Sequence, residues 1–114
     1  APPAAPWQHS VIRPPRLQLE RRAREEIETA VTWWVEHRPA APGLLLDELE
    51  RAYELLRAQP LAGQSARSPR LDGVRRVLLG RSRYHLYYRV TDPPDTVVVL
   101  ALWHANRGGD PELQ

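Results

Sequence analysis

Nine residues near the C-terminus, TVVVLALWH at Thr96–His104, constrain the fold more than any other stretch. The run is apolar and rich in β-branched residues, without polar alternation. It falls far short of the ~20 residues that span a bilayer. It reads as a central strand covered on both faces. Such a strand needs neighbours on both sides and a layer above and below. A chain of 114 residues has room to supply these within one core.

Two more strand candidates precede it. Val74–Leu79 and Tyr84–Val90 are separated by the turn sequence GRSR at Gly80–Arg83, and TDPPD at Thr91–Asp95 leads into the last strand. Links this short imply an antiparallel meander. In the middle strand, period-2 alternation puts Leu86, Tyr88 and Val90 on one face, assigned to the core. It turns His85, Tyr87 and Arg89 the other way.

Upstream, Arg21–His37 reads as a helix. Ala23, Ile27, Ala30, Val31 and Trp34 form one continuous stripe, and EHRP at Glu36–Pro39 ends it because the residue before proline avoids the helical region. Trp33 cannot share the face of Trp34 and lies at the stripe's edge or exposed as a contact, the core or its edge being the expectation. A second helix runs from Ala40 or Pro42 to Gln59 on Leu45, Leu49, Ala52 and Leu56, with Leu46 and Tyr53 beside them. The short link predicts an antiparallel helical hairpin. RLQLE at Arg16–Glu20 alternates as one short strand, and Pro60–Pro69 is loop by composition.

The expected fold is therefore α+β: a helical hairpin packed on a small antiparallel sheet, in the order β-α-α-β-β-β. One domain covers residues 16–109. Residues 1–15, rich in proline and alanine and carrying Trp7, form an N-terminal tail, and 110–114 a C-terminal tail.

Charge is unevenly divided. From Arg16 to Gln59 there are seven Arg against nine Asp and Glu; from Arg67 to Arg107 there are eight Arg against three Asp. The positive field thus belongs to the C-terminal half, as suits an acidic partner or nucleic acid. All 16 basic residues are arginine, so each can grip phosphate or carboxylate through a planar fork. Cysteine is absent, which excludes disulfides and thiolate metal sites and fits a reducing cytoplasm. The first residues lack the charged and apolar regions of a secretion signal, so a cytoplasmic location without membrane contact is expected. His9, His37, His85 and His104 have no metal-ligand spacing, and neither a phosphate-binding glycine loop nor HExxH is present; no cofactor is expected.

Two stretches could carry function. WHANRGGDPE at Trp103–Glu112 places His104 and Arg107 where a rigid strand runs out into a loop. The plainer alternative is that His104 bonds backbone and Arg107 pairs with Asp110. VRRVLLGRSRYHLYYRV at Val74–Val90 interleaves five arginines with Tyr84, Tyr87 and Tyr88, the combination that holds single-stranded nucleic acid and could equally clamp an acidic peptide. The plainer alternative there is a tyrosine core with solvated arginines. Tyr88 is expected to be structural and Tyr87 to be the functional tyrosine.

Taken in order, several features resemble the RelE/ParE toxin superfamily over about Arg16–Pro111. These are the alanine-rich helix ending in Trp33–Trp34, the Pro-Ala-Ala start of the second helix, the strand after Gly73-Val74-Arg75-Arg76, the strand ending YYRV, and WHANR at Trp103–Arg107. The resemblance implies the toxin half of a bacterial toxin–antitoxin pair. Its partner would be a cognate antitoxin with an acidic amphipathic segment. RelE-like members are ribosome-dependent mRNA endoribonucleases; ParE-like members bind and stall DNA gyrase without catalysis of their own. For a nuclease, the resemblance points to Arg81 or Arg83 on the phosphate, Arg107 against developing charge, and His85 or His104 as proton shuttle. The C-terminal catalytic tyrosine of RelE-like enzymes has no counterpart in GGDPELQ. The resemblance is therefore closer to ParE, with Arg75, Arg76, Arg81, Tyr87, His104 and Arg107 as contact residues for target or antitoxin.

Overall fold

The computed structural model describes residues 15–91 and 95–113; the N-terminal segment with Trp7 and His9, and the centre of the TDPPD turn, lie outside them. Strand β1 (Arg16–Leu19) leads directly into helix α1 (Arg21–His37), and helix α2 (Leu44–Ala58) returns. Strands β2 (Gln64–Ser65), β3 (Arg75–Leu78), β4 (Tyr84–Val90) and β5 (Thr96–His104) follow. The sheet order is β1-β5-β4-β3-β2. As the sequence predicts, β5 is interior to the sheet and buried from Val97 to Leu102.

The sheet is mixed rather than purely antiparallel. β3, β4 and β5 form the expected meander, but β1 pairs with β5 in parallel, Arg16 opposite Thr96 through Leu19 opposite Val99. The helical hairpin provides the long crossover that parallel neighbours need. The predicted loop also contributes a strand. Gln64 and Ser65 pair with Arg76 and Arg75, because Tyr88 ties the loop down. The Tyr88 hydroxyl donates to the Pro60 carbonyl at 2.7 Å and accepts from the Gly63 N–H at 2.8 Å. A Cβ on Gly63 would meet that hydroxyl at 2.6 Å and the Arg76 carbonyl at 2.9 Å, so only glycine fits this approach.

Two apolar layers enclose the sheet. The helix side joins Ala23, Ala30 and Trp34 of α1 and Leu45, Leu49 and Leu56 of α2 to Leu86, Tyr88, Val97, Val99 and Leu102. Each fully buried leucine of α2 contributes about 1.5–3 kcal/mol. α1 stops where Trp34 folds back, its indole N–H donating to the Ala41 carbonyl at 2.9 Å across the interhelical link. The other side collects Val74, Tyr87, Val98, Leu100, Ala101 and Leu113, with Ala66, Leu71 and Trp103 around them. Among the described residues no helix covers this face. Residues 66–74 and the C-terminal segment do so instead. Pro111 and Leu113 are buried, and the Arg22 guanidinium donates to the Glu112 carbonyl.

One irregularity matters for the site. Tyr87 pairs with Ala101 but Tyr88 with Val99, leaving Leu100 as an extra residue in β5. Leu100 and Ala101 consequently share the second face, and Leu102 and His104 turn toward the helix side.

Candidate functional site

At the end of the sheet where β5 runs out, a cleft of about 740 Å³ opens between α1 and the β3–β4 turn. Its floor is Ala30, Trp34, Tyr84 and Leu102. One wall comes from α1 and its end, with Glu25, Glu26, Trp33 and Arg38. The other comes from Arg81, Ser82, Arg83, His104 and Arg107.

The turn that carries Arg81 and Arg83 is fastened from three directions. Arg83 is a non-glycine residue at φ 67°; its N–H donates to the Leu79 carbonyl at 2.9 Å and its carbonyl accepts from the Ala105 N–H at 2.7 Å. Glu48 of α2 reaches across and accepts the backbone N–H groups of Arg81 (3.0 Å) and Ser82 (2.8 Å). Burial pushes the Glu48 carboxyl up. The Arg81 and Ser82 N–H groups, with the Ser82 hydroxyl and the Arg81 charge, outweigh that and hold it below its ordinary value.

The ring groups are equally ordered. Trp33 is 41% exposed, so it lies outside the core rather than in it. It stacks on His37 at 4.5 Å and 9°, and the Arg38 guanidinium sits 4.9 Å from its ring centre. His104 meets Tyr84 edge-on at 4.9 Å, and its Nδ1 accepts the Asn106 N–H at 3.1 Å. Burial raises the Tyr84 hydroxyl pKa, against a smaller opposing pull from Arg38. Arg107 does not pair with Asp110. Its guanidinium lies 3.8 Å over Trp103.

Of the remaining candidates, Arg76, Tyr87 and His85 stand on the other face, while Arg75 lies opposite Tyr88 on the helix side. Arg76 takes Asp110 instead, at 3.5 Å, and donates to the Tyr87 hydroxyl at 3.2 Å. That hydroxyl in turn donates to Asp110 at 3.1 Å. Tyr87, expected to be the functional tyrosine, is 1% exposed, because the C-terminal segment covers it. Arg75 is engaged with the carbonyls of Leu61 and Gly63 at 3.3 and 2.8 Å. His85 is half-buried, 6.2 Å edge-on from Tyr87. Burial depresses its pKa, helped by the charges of Arg76 and Arg83 and opposed by Asp110.

The expected site set is thus split. Arg81, Arg83, His104 and Arg107 come together in the cleft, while Arg75, Arg76, Tyr87 and His85 do not. Sequence reasoning missed Glu48 and Arg38, and for Trp33 it favoured the core or its edge over the exposed contact that the structure shows. The Arg38–Trp33–His37 stack has a weak signal in WWVEHR, since i and i+4 place Trp33 beside His37. Among the described residues no group of three His, Asp or Glu is gathered as a metal site requires, and no helix is long and apolar enough to cross a membrane.

A helical hairpin on a sheet with this order and a basic cleft at the sheet's end defines the RelE/ParE-like toxin fold. The structure of a chromosomal ParDE toxin–antitoxin system from P. aeruginosa superposes with a TM-score of 0.61 at 18% identity, covering 81% of this chain and 97% of that one. The toxin–antitoxin complex RelBE2 from Mycobacterium tuberculosis gives 0.55 at 27%, covering 80% and 98%. The isolated E. coli RelE toxin gives 0.51 at 22%, covering 82% and 86%. No match was found among curated protein sequences. The family described as the ParE toxin of type II toxin-antitoxin system, parDE, matches residues 17–108, and the chain belongs to that family.

Proposed function

We propose that this toxin stalls DNA gyrase and is neutralised by a cognate antitoxin whose acidic amphipathic segment is drawn to the arginine-rich half of the chain. Membership of the ParE toxin family across residues 17–108 is the observation that carries the reading. The choice of binding over catalysis rests on that membership, since the cleft gathers Arg81, Arg83, His104 and Arg107 under either reading. An endonuclease needs its acid, base and charge-stabilising group within hydrogen-bond reach of one phosphate. His104 stands in the cleft with those arginines, while His85 lies outside its lining but feels the Arg83 charge, and the Tyr87 hydroxyl is enclosed between Arg76 and Asp110. Arg81, His104 and Arg107 are the contact residues in this reading. Arg76 and Tyr87 hold the far face of the sheet in shape, and Arg75 ties down the Leu61–Gly63 loop beside Tyr88.

The test is direct. Purified chain added to a gyrase supercoiling reaction inhibits it or traps cleaved DNA, and equimolar antitoxin restores activity. Added to translating ribosomes, it leaves A-site codons intact. An unaffected supercoiling reaction at micromolar toxin removes the gyrase reading. Codon-specific cutting of mRNA would replace it with the endoribonuclease.

A further inference from the structure

We propose that the cleft binds a short segment of single-stranded DNA, with phosphates on its arginine wall and bases on its rings. The choice of DNA over RNA rests on the gyrase reading; the rest stands on the cleft alone.

Charge comes first. Four arginines line the cleft, Arg38, Arg81, Arg83 and Arg107, the last with its guanidinium stacked on Trp103. Its two α1 carboxylates are already engaged by arginines that do not line it. Glu25 pairs with Arg21 at 3.2 Å, and Glu26 with Arg22 at 3.4 Å while also accepting the Leu102 N–H at 3.3 Å. Among the described residues none of the four cleft guanidiniums forms an ion pair with a carboxylate. The wall therefore keeps its positive field for an outside anion.

The rings decide which anion. Trp33 is 41% exposed, stacked on His37 with the Arg38 guanidinium 4.9 Å over its ring, and His104 is braced against Tyr84. Preset flat rings beside arginine forks suit alternating bases and phosphates. An acidic peptide would use the forks but gain little from the rings. A duplex hides its base faces in its own stack, so only unpaired strand can use Trp33. The cleft's volume lies within the range of ligand pockets, roughly 300–1,000 Å³. The phosphate-facing wall is also rigid, because Arg83 projects from a turn hydrogen-bonded on both sides.

Fluorescence anisotropy with a labelled mixed-sequence 12-mer tests this on the purified full chain. Matched RNA, the matched duplex and poly-glutamate serve as separate arms. The single DNA strand binds tightest. Four phosphate contacts give a slope of log K against log salt of about −2.8, and Arg83→Gln lowers it to about −2.1. Trp33→Ala weakens binding roughly ten-fold with the slope unchanged. Arg57→Ala, which removes the same charge outside the cleft lining, changes neither. Circular dichroism checks the fold of each variant, and Arg81→Gln stands in for any that fails. Equal or tighter binding of duplex, RNA or poly-glutamate overturns the proposal. So does equal weakening by Arg57→Ala and Arg83→Gln. The supercoiling assay on the same preparations separates the two readings: gyrase inhibition without strand binding sinks this inference alone, and strand binding without inhibition sinks the gyrase reading alone.

Discussion

Replacing Glu48 by alanine should loosen the Arg81–Arg83 turn and cost stability by an amount that depends on pH. The side chain is half-buried and accepts two backbone N–H groups, at 3.0 and 2.8 Å. Hydrogen bonds to a charged group contribute about 1.5–3 kcal/mol. Water can reach the freed donors, so the lower part of that range applies, about 1.5 kcal/mol. For a domain of this size that lowers Tm by roughly 6–10 °C at pH 7. The Glu48 carboxyl is held below its ordinary value of 4.5, so the folded state prefers it ionised. The stabilisation is therefore complete above about pH 4.5 and fades as pH falls through the lowered folded pKa. The assay is thermal unfolding of wild type and E48A from pH 7 to pH 3, with E48Q as the uncharged acceptor. The Tm gap between wild type and E48A should be full at pH 7 and narrow at the acid end. E48Q should fall between the two at pH 7. A gap under ~0.5 kcal/mol, within the range of an ordinary surface substitution, would refute the latch. A gap that does not change with pH would show that the charge has no part in it.

Three other outcomes follow from the geometry. The His85 imidazole, depressed by burial and by Arg76 and Arg83, should titrate by NMR below 6.5; its contribution to stability is present above 6.5 and lost as pH falls through the lower folded pKa. Gly63→Ala drives a methyl against the Tyr88 hydroxyl and the Arg76 carbonyl, so it should cost about 1–3 kcal/mol in urea unfolding, and a neutral result would contradict the close approach. Leu113→Ala should cost about 2–3 kcal/mol and speed hydrogen exchange at Tyr87, since Leu113 is 4% exposed and packs with Tyr87 over the second face.

The helices and the meander were legible because their patterns are local. α1 begins and ends where its apolar stripe and the His-Arg-Pro stop place it, and β4 and β5 match their apolar runs residue for residue. β1 was legible as a strand, but four residues give no sign of whether their neighbour runs parallel. β2 left no trace at all. Two residues have no period, and what makes them a strand is the Tyr88 hydroxyl 25 positions away. The site was half legible. Arginines at a strand end and in a tight turn can be picked out by position, which found Arg81, Arg83, His104 and Arg107. Tyr87 was misjudged because alternation tells which face a residue takes, not what lies over it. Proline- and glycine-rich segments read as loops, and here they also cover a sheet. Glu48 was invisible because its partners are backbone N–H groups, which every residue but proline carries.

The extra residue at Leu100 settles which heterocycle the cleft receives. With uninterrupted alternation from Val97, position 103 would look toward the helices and position 104 away from them. One unpaired residue reverses the phase, so an imidazole takes the place an indole would otherwise hold. The composition of β5 permits either phase, since nearly every residue up to Trp103 is content in oil. The chemistry at the mouth of this protein is thus set by a count of residues, and inserting one residue between Leu100 and His104 would exchange it.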